Sequence, residues 1–430
     1  MPSLHSSTTA TITTAPRTPV RLLALLALGL AAGSAQAAPS CGLGNGKPAS
    51  GEPLVIGAVV GKTGPDDFSS AAAAASAYFQ CVNQNGGIHG RPVEYVVADD
   101  QWNPETASQV ASKLVKDRKV LAMAGNTSFV ECSANARMYA QEGVMVIAGA
   151  GVPRECYNAQ NYAPVNSGPR ISATIAAMYA AQKYQAKKMV CIIPNIPSLG
   201  NWACEGVKQW GSKNGVSSET IAIDPGSADA TSVMLQAAAM KPDVIIMNLP
   251  KGLLVPMMAA AEQQNLAKKI RFVSSAPAYN TEIPKTLGPY WKDRFEANLE
   301  FLPLDSQGPD NKNWLAVMEQ YAPKTAARDN FAQGGYLAAR LVTETLLKMD
   351  PKKMDRASIT QALRGVKNFK SDILCKDFYV GDGQRHNANN SGPMAASNGK
   401  TWVPVPGGCL TADDPELTDI RVHEVKLGLR

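Results

Sequence analysis

Histidine is scarce in this 430-residue chain: there are four, at positions 5, 89, 386 and 423, and the first lies in the N-terminal leader. A histidine-built zinc site is therefore not expected. The chain also has no HExxH, no GxSxG nucleophile elbow and no GxxxxGK[ST] phosphate loop, which removes the commonest hydrolase and nucleotide-binding signatures. Gly149-Ala150-Gly151 follows an apolar run, but Arg154 stands where a dinucleotide fingerprint needs its third glycine. No cofactor and no metal are expected. Charged residues make up only 18% of the chain and form no Lys/Arg block, so neither nucleic acid nor a membrane surface is a natural partner. No CxxC pair occurs, which argues against redox or metal chemistry for the cysteines.

What is present points to an exported binding protein. Arg17 and Arg21 precede the apolar run Leu22 to Ala32, and Ala35-Gln36-Ala37 offers small residues for cleavage. Residues 1–37 thus read as a secretory signal, too short in its apolar part to span a membrane. Removing it with its two arginines lowers the net charge from +6 to +4. A periplasmic location follows, with a lipid anchor at Cys41 as the minor alternative because Ala38-Pro39-Ser40 lacks an aliphatic residue. Eight cysteines in an exported chain imply disulfides. Eight allow 105 connectivities, and the sequence does not choose among them. Near neighbours such as Cys132 with Cys156, Cys191 with Cys204 and Cys375 with Cys409 are candidates, although Cys191 on a strand is also compatible with simple burial.

At this length two lobes are the natural expectation. The chain is organised around Val120 to Pro153, where an apolar run, a small polar turn (Gly125 to Ser128), a helix, a second apolar run and a Gly-rich turn follow one another. In an open parallel sheet such turns leave the carboxyl ends of neighbouring strands, where ligands bind. The same alternation begins with Leu54 to Val60 and resumes beyond Asn166 to Pro169, so the fold class is α/β with two doubly wound units. Asp66-Asp67 and Asp99-Asp100 stand at turns and read as caps rather than as acid/base pairs. Trp202, Trp210 and Trp314 read as packing residues, and Arg154 and Lys62 as solvated cations.

Several motifs then carry a family resemblance: Ile56-Gly57 followed by Thr63-Gly64-Pro65, and Asn83 to Val93 with its Gly86-Gly87-Ile88-His89-Gly90-Arg91-Pro92 core. Asp99-Asp100, Asn103-Pro104, Gly125 to Ser128 and Glu142-Gly143-Val144 continue it. Over roughly Pro53 to Pro404 the chain resembles the Leu/Ile/Val-type (type I) solute-binding proteins of bacterial ABC importers. The resemblance implies two Rossmann-like lobes joined by three crossings, with a solute trapped by hinge closure. It places lobe one at 53–167 plus 304–367 and lobe two at 168–303 plus 368–406. The crossings would fall near Asn166 to Pro169, near Phe301 to Pro303, and between Val366 and Phe378. The tail 407–430 has no assigned role.

By the same resemblance, Asn126, Thr127, Ser128 and Phe129, together with Ala150, Gly151 and Val152, hold a ligand carboxylate. Lobe two adds Leu199, Ala276 and Tyr279, and Phe68 completes an apolar wall. Val152 stands where a Thr helps hold an amino acid's ammonium, and Ser274-Ser275-Ala276-Pro277 carries no carboxylate. A buried ammonium without an anionic partner costs several kcal/mol. The expected ligand therefore lacks an α-amino group: a small or aromatic carboxylate, or a neutral apolar solute. If instead Glu131 or Glu282 supplies the charge, the ligand is a branched-chain or other amino acid. The expected partner is an inner-membrane ABC permease, with a sensory receptor role as the alternative, and the protein is expected to be a monomer and not an enzyme.

Overall fold

The computed structural model describes residues 8–13, 39–381 and 383–429. The signal segment 1–37 lies outside the described residues except for 8–13, which form no regular structure. No helix among the described residues is long and apolar enough to cross a membrane.

The first sheet contains β1 (Leu54–Val60), β2 (Val93–Asp99), β3 (Ala122–Ala124), β4 (Val146–Ala148) and β5 (Tyr162–Pro164). All pairs are parallel, in the order β2-β1-β3-β4-β5. Strand β1 (LVIGAVV) is almost wholly buried, as an apolar run covered on both faces should be. The second sheet contains β6 (Lys188–Pro194), β7 (Ser217–Ile223), β8 (Val244–Met247), β9 (Arg271–Ser274) and β10 (Phe295–Asn298). With β11 (Ser391–Gly392), β12 (Met394–Ser397), β13 (Trp402–Pro404) and β14 (Leu410–Thr411) the chain returns to this lobe. The order is β13-β12-β10-β9-β8-β6-β7, antiparallel only at β12 and β13, while β11 pairs with β14 alone.

The Asn83 to Val93 motif has a local physical cause. Helix Ser70–Gln84 must stop and turn back into β2. Asn83 accepts from the Val93 amide at 2.7 Å and donates to the Val93 carbonyl at 2.9 Å. Gly87 sits at φ +61°, and a Cβ there would lie 2.3 Å from the Arg91 oxygen. Only glycine fits so close a backbone approach. Helix Pro104–Ser112 opens on Asn103, whose side chain accepts from the amides of Glu105 and Thr106, with Pro104 at the first helical position.

The chain passes between the lobes after β5, after β10, and between Ala388 and Met394. The third passage lies beyond the expected 366–378. Phe369, Ile373, Phe378, Val380 and Ala388 all pack into the first lobe's core, so the apolar content of 368–388 keeps this segment there before it crosses. Four disulfides are present: Cys41–Cys81, Cys132–Cys156, Cys191–Cys204 and Cys375–Cys409. Cys191 is thus paired as well as buried, and Cys41 is held in a disulfide rather than free for a lipid.

The tail also has a place. Ala412, Leu417 and Ile420 pack with helix Gly168–Tyr184 in the second lobe. Asp414 takes both ends of the Arg170 guanidinium at 2.9 Å, and both side chains are buried, at 0% and 2% exposure. Removing one member of such a pair leaves an uncompensated buried charge, so Asp414→Ala is expected to cost about 3–5 kcal/mol. Urea denaturation measures the loss, and limited proteolysis should show early cleavage near the helix Thr418–Lys426.

Candidate functional site

The loops after β1, β3 and β4 converge at one end of the first sheet. Asp99 accepts from the Lys62 and Thr63 amides and from the Thr63 hydroxyl. Asp100 accepts from the Trp102 amide and the Ser128 hydroxyl. The paired aspartates thus tie the β1 and β3 loops together and act as turn-forming acceptors. Trp102 stacks on Phe129 with ring centres 4.5 Å apart. Phe68 stacks on Phe129 at 5.1 Å and meets Phe331 edge-on at 5.0 Å. Gly64, at φ +141°, makes room for this wall, since a Cβ there would come within 2.8 Å of the Trp102 ring.

Opposite this wall stand the loops of the second lobe, and a small cavity remains between them. It encloses about 30 Å³ and is lined by Phe129, Gly151, Val152 and Leu199 together with Asn166, Asn248, Glu300, Phe331 and prolines 169, 194, 250 and 277. Ligand pockets usually start near ~300 Å³, so a solute requires the lobes to part. Of the residues expected at the site, Phe129, Gly151, Val152 and Leu199 line this space. Phe68 is buried behind Phe129 and Phe331. Ala276 donates its amide to the Ser172 hydroxyl. Tyr279 packs against Trp402 and accepts from the Leu304 amide, so these two residues support the lobe rather than line the cavity.

The polar groups divide in a way the sequence did not reveal. The Ala150 amide donates to the Asn126 carbonyl and the Gly151 amide to Asn166 Oδ1. The Ser128 hydroxyl accepts from the Val130 and Glu131 amides, while Thr127 extends the sheet through bridges to Val60 and Ala150. No described residue accepts a hydrogen bond from the amides of Phe129 or Val152. Asn126 Nδ2 donates to Glu131, and its Oδ1 is buried without a partner.

The missed residue is Glu300, a carboxylate that reaches the cavity from the second crossing. Its Oε1 takes Asn166 Nδ2 at 2.8 Å, the Gly168 amide at 2.7 Å and the Ser167 hydroxyl at 3.3 Å. Its Oε2 takes Asn330 Nδ2 at 2.7 Å. Burial raises its pKa, and these donors oppose that rise. Neither acidic residue considered from the sequence lines the cavity. Glu131 lies beneath the loops, bonded by Tyr139 and Tyr162, and burial pushes it up to about 7. Glu282 is exposed beside Lys285. Arg154 extends to Glu416 at 3.2 Å.

Closed-state contacts rim the cavity. Asp66 Oδ2 accepts from the Gly252 amide at 3.0 Å, so a first-lobe carboxylate meets the first turn of the second-lobe helix Lys251–Gln263, a placement favoured by the helix dipole. On the other side the Arg154 amide donates to the Ser198 carbonyl and the Ser198 hydroxyl to Glu155.

Two parallel-sheet lobes thus face each other across a small cavity. The family profile described as periplasmic binding protein matches residues 53–400, and the chain belongs to that family. Its likeness is to the Leu/Ile/Val-binding type. One similar structure is a possible leucine/isoleucine/valine-binding protein from Rhodopirellula baltica, with 15% identity and a TM-score of 0.73, covering 84% of this chain and 98% of that one. A fatty acid ABC transporter substrate-binding protein from Thermomonospora curvata has 19% identity and a TM-score of 0.74 over 85% and 95% of the two chains. A solute-binding protein from R. palustris in complex with 4-hydroxybenzoate has 18% identity and a TM-score of 0.71 over 86% and 100%. These identities speak for the fold. No curated protein sequence matches the chain. The protein is a solute-binding protein and not an enzyme.

Two outcomes are expected. A Cβ on Gly252 would lie 2.7 Å from the Pro65 carbonyl across the rim, so Gly252→Ala should favour the open form. Small-angle scattering should then show a larger radius of gyration, and solute affinity should fall about tenfold, or ~1.4 kcal/mol. Glu131, with its folded pKa above the unfolded value, contributes stability that is fully present below about pH 4.5 and lost as pH rises through about 7. Denaturation midpoints should therefore fall between pH 5 and 8 in the wild type and fall less in Glu131→Gln.

Proposed function

We propose that this protein is the periplasmic receptor of an ABC importer, monomeric, delivering to an inner-membrane permease a solute that carries no α-amino group. An aromatic or aliphatic carboxylic acid is the class that matches the cavity best. The observation that carries this reading is the state of Glu300: its four hydrogen-bond donors are the protein's own, three from the first crossing and the fourth Asn330. A ligand ammonium entering the cavity would find no uncommitted carboxylate among the described lining residues, at a cost of several kcal/mol.

A carboxylate fares better. The uncommitted amides of Phe129 and Val152 are donors waiting for an acceptor, as in anion sites built from backbone N–H groups. Phe129, Phe331, Leu199 and the prolines supply an apolar sleeve for a ring or chain. The similar folds of the 4-hydroxybenzoate complex and of the fatty acid ABC transporter substrate-binding protein support the class without naming the solute. The signal segment supports export.

A thermal-shift series on the protein without its leader tests this. Benzoate, 4-hydroxybenzoate or medium-chain fatty acids should raise the midpoint, because a ligand at a hundred times its Kd adds about 2.7 kcal/mol to the folded state. Leucine and valine should leave it unchanged. A midpoint raised by leucine or valine, with no response to any acid, would refute the reading.

A further inference from the structure

A second and larger cavity lies away from the cleft, on the outer side of the first lobe. It encloses about 730 Å³, within the ~300–1,000 Å³ of small-molecule sites. Helix Arg356–Arg364, the turn that follows it, the loop before β5 and the C-terminal helix Thr418–Lys426 form its walls. None of these elements takes part in the cleft.

Its chemistry is one-sided. Arg364, Lys367 and His423 line it, and no acidic residue is among the described lining residues. Arg364 ends its helix, where a cation suits the dipole. One guanidinium nitrogen, Nη2, is bonded to Asn161, while Nε is buried with no acceptor. With Lys367 and His423 beside it, Arg364 gives this wall positive charge that no lining carboxylate offsets. Beside it the ring of Tyr379, buried, packs on the His423 imidazole at 5.0 Å, and Leu427 and Val366 extend the apolar side. His386, buried next to this wall, has its pKa lowered by burial and, to a smaller degree, by Arg364, in keeping with a positive local field.

We propose that this cavity is an accessory site for a small organic oxyanion, an aromatic phosphate or sulfonate, whose anionic end meets the positive charge of Arg364 and Lys367 while its ring lies along Tyr379 and His423. Paired cations beside an aromatic wall favour an anion that carries a ring over inorganic phosphate. The site does not depend on the cleft reading, because no residue is shared between the two cavities.

The test uses the three histidines left after leader removal, His89, His386 and His423, as resolved reporters in imidazole NMR. Phenyl phosphate titrated at fixed pH should shift His423 saturably and leave His89 in place. Arg364→Gln should weaken binding at least tenfold and Lys367→Gln, an exposed position, several-fold, and inorganic phosphate should bind several-fold more weakly than phenyl phosphate. Because Arg364 also holds Asn161, the thermal midpoint of each variant checks folding, and Lys367→Gln carries the test if Arg364→Gln is unfolded. Absence of a saturable His423 shift, equal shifts at all three imidazoles, or affinity unchanged in folded variants would overturn the proposal.

Discussion

The structure depends on one buried carboxylate. Glu300 sits on the second crossing, takes Asn166, Ser167 and Gly168 of the first crossing, and is bonded by Asn330 at the start of the first-lobe helix Asn330–Leu347. Asn389 of the third crossing closes the knot, donating to the Val165 and Glu300 carbonyls at 3.0 and 2.8 Å. A carboxylate removed from water is costly unless its oxygens are hydrogen-bonded. Here the donors to the carboxylate come from the first crossing and from the start of a first-lobe helix. Breaking this knot would leave the charge without its donors.

With the hinge anchored, the cleft closes by contacts of a weaker kind. Asp66 against the first turn of a helix, a backbone bond from Arg154 to Ser198, and apolar contact of Phe129 and Val152 with Leu199 are each worth little alone. That difference in strength between knot and rim suits a protein that must keep its topology while opening to release a solute. The cavity itself has apolar walls, spare amide donors on one lobe, and a carboxylate already committed to the hinge. A solute is thus selected as much by what the protein has used up as by what it offers.

The fold was largely legible in the chain. The apolar runs of β1, β4, β6 and β8 alternate with helices in a way that only a parallel sheet accommodates, and the Asn83 to Val93 turn announces its own geometry through Asn83 and Gly87. The cleft was legible in part. Phe129, Gly151, Val152 and Leu199 follow strand ends, where sequence order and position in space coincide. Phe331, Asn248 and Glu300 escaped notice because they reach the cavity from a helix start, a strand end in the other lobe and a crossing. Glu300 in Leu299-Glu300-Phe301 looks like an isolated charge in an apolar stretch, and nothing local marks it as a hinge. The third crossing was misplaced for a similar reason: Phe369 to Val380 gives short β signals that do not state which core they join.

The sequence by itself determined the α/β class and the alternation of strands and helices in two units, because these follow from periodicity, composition and local turn chemistry. Only the tertiary structure decided which carboxylate reaches the cleft, which amides stay uncommitted, where the tail docks through Arg170 and Asp414, and that Arg364, Lys367 and His423 share a cavity. Those are contacts between residues tens to hundreds of positions apart, and hydrogen bonding and burial between such residues leave no periodic trace in the chain.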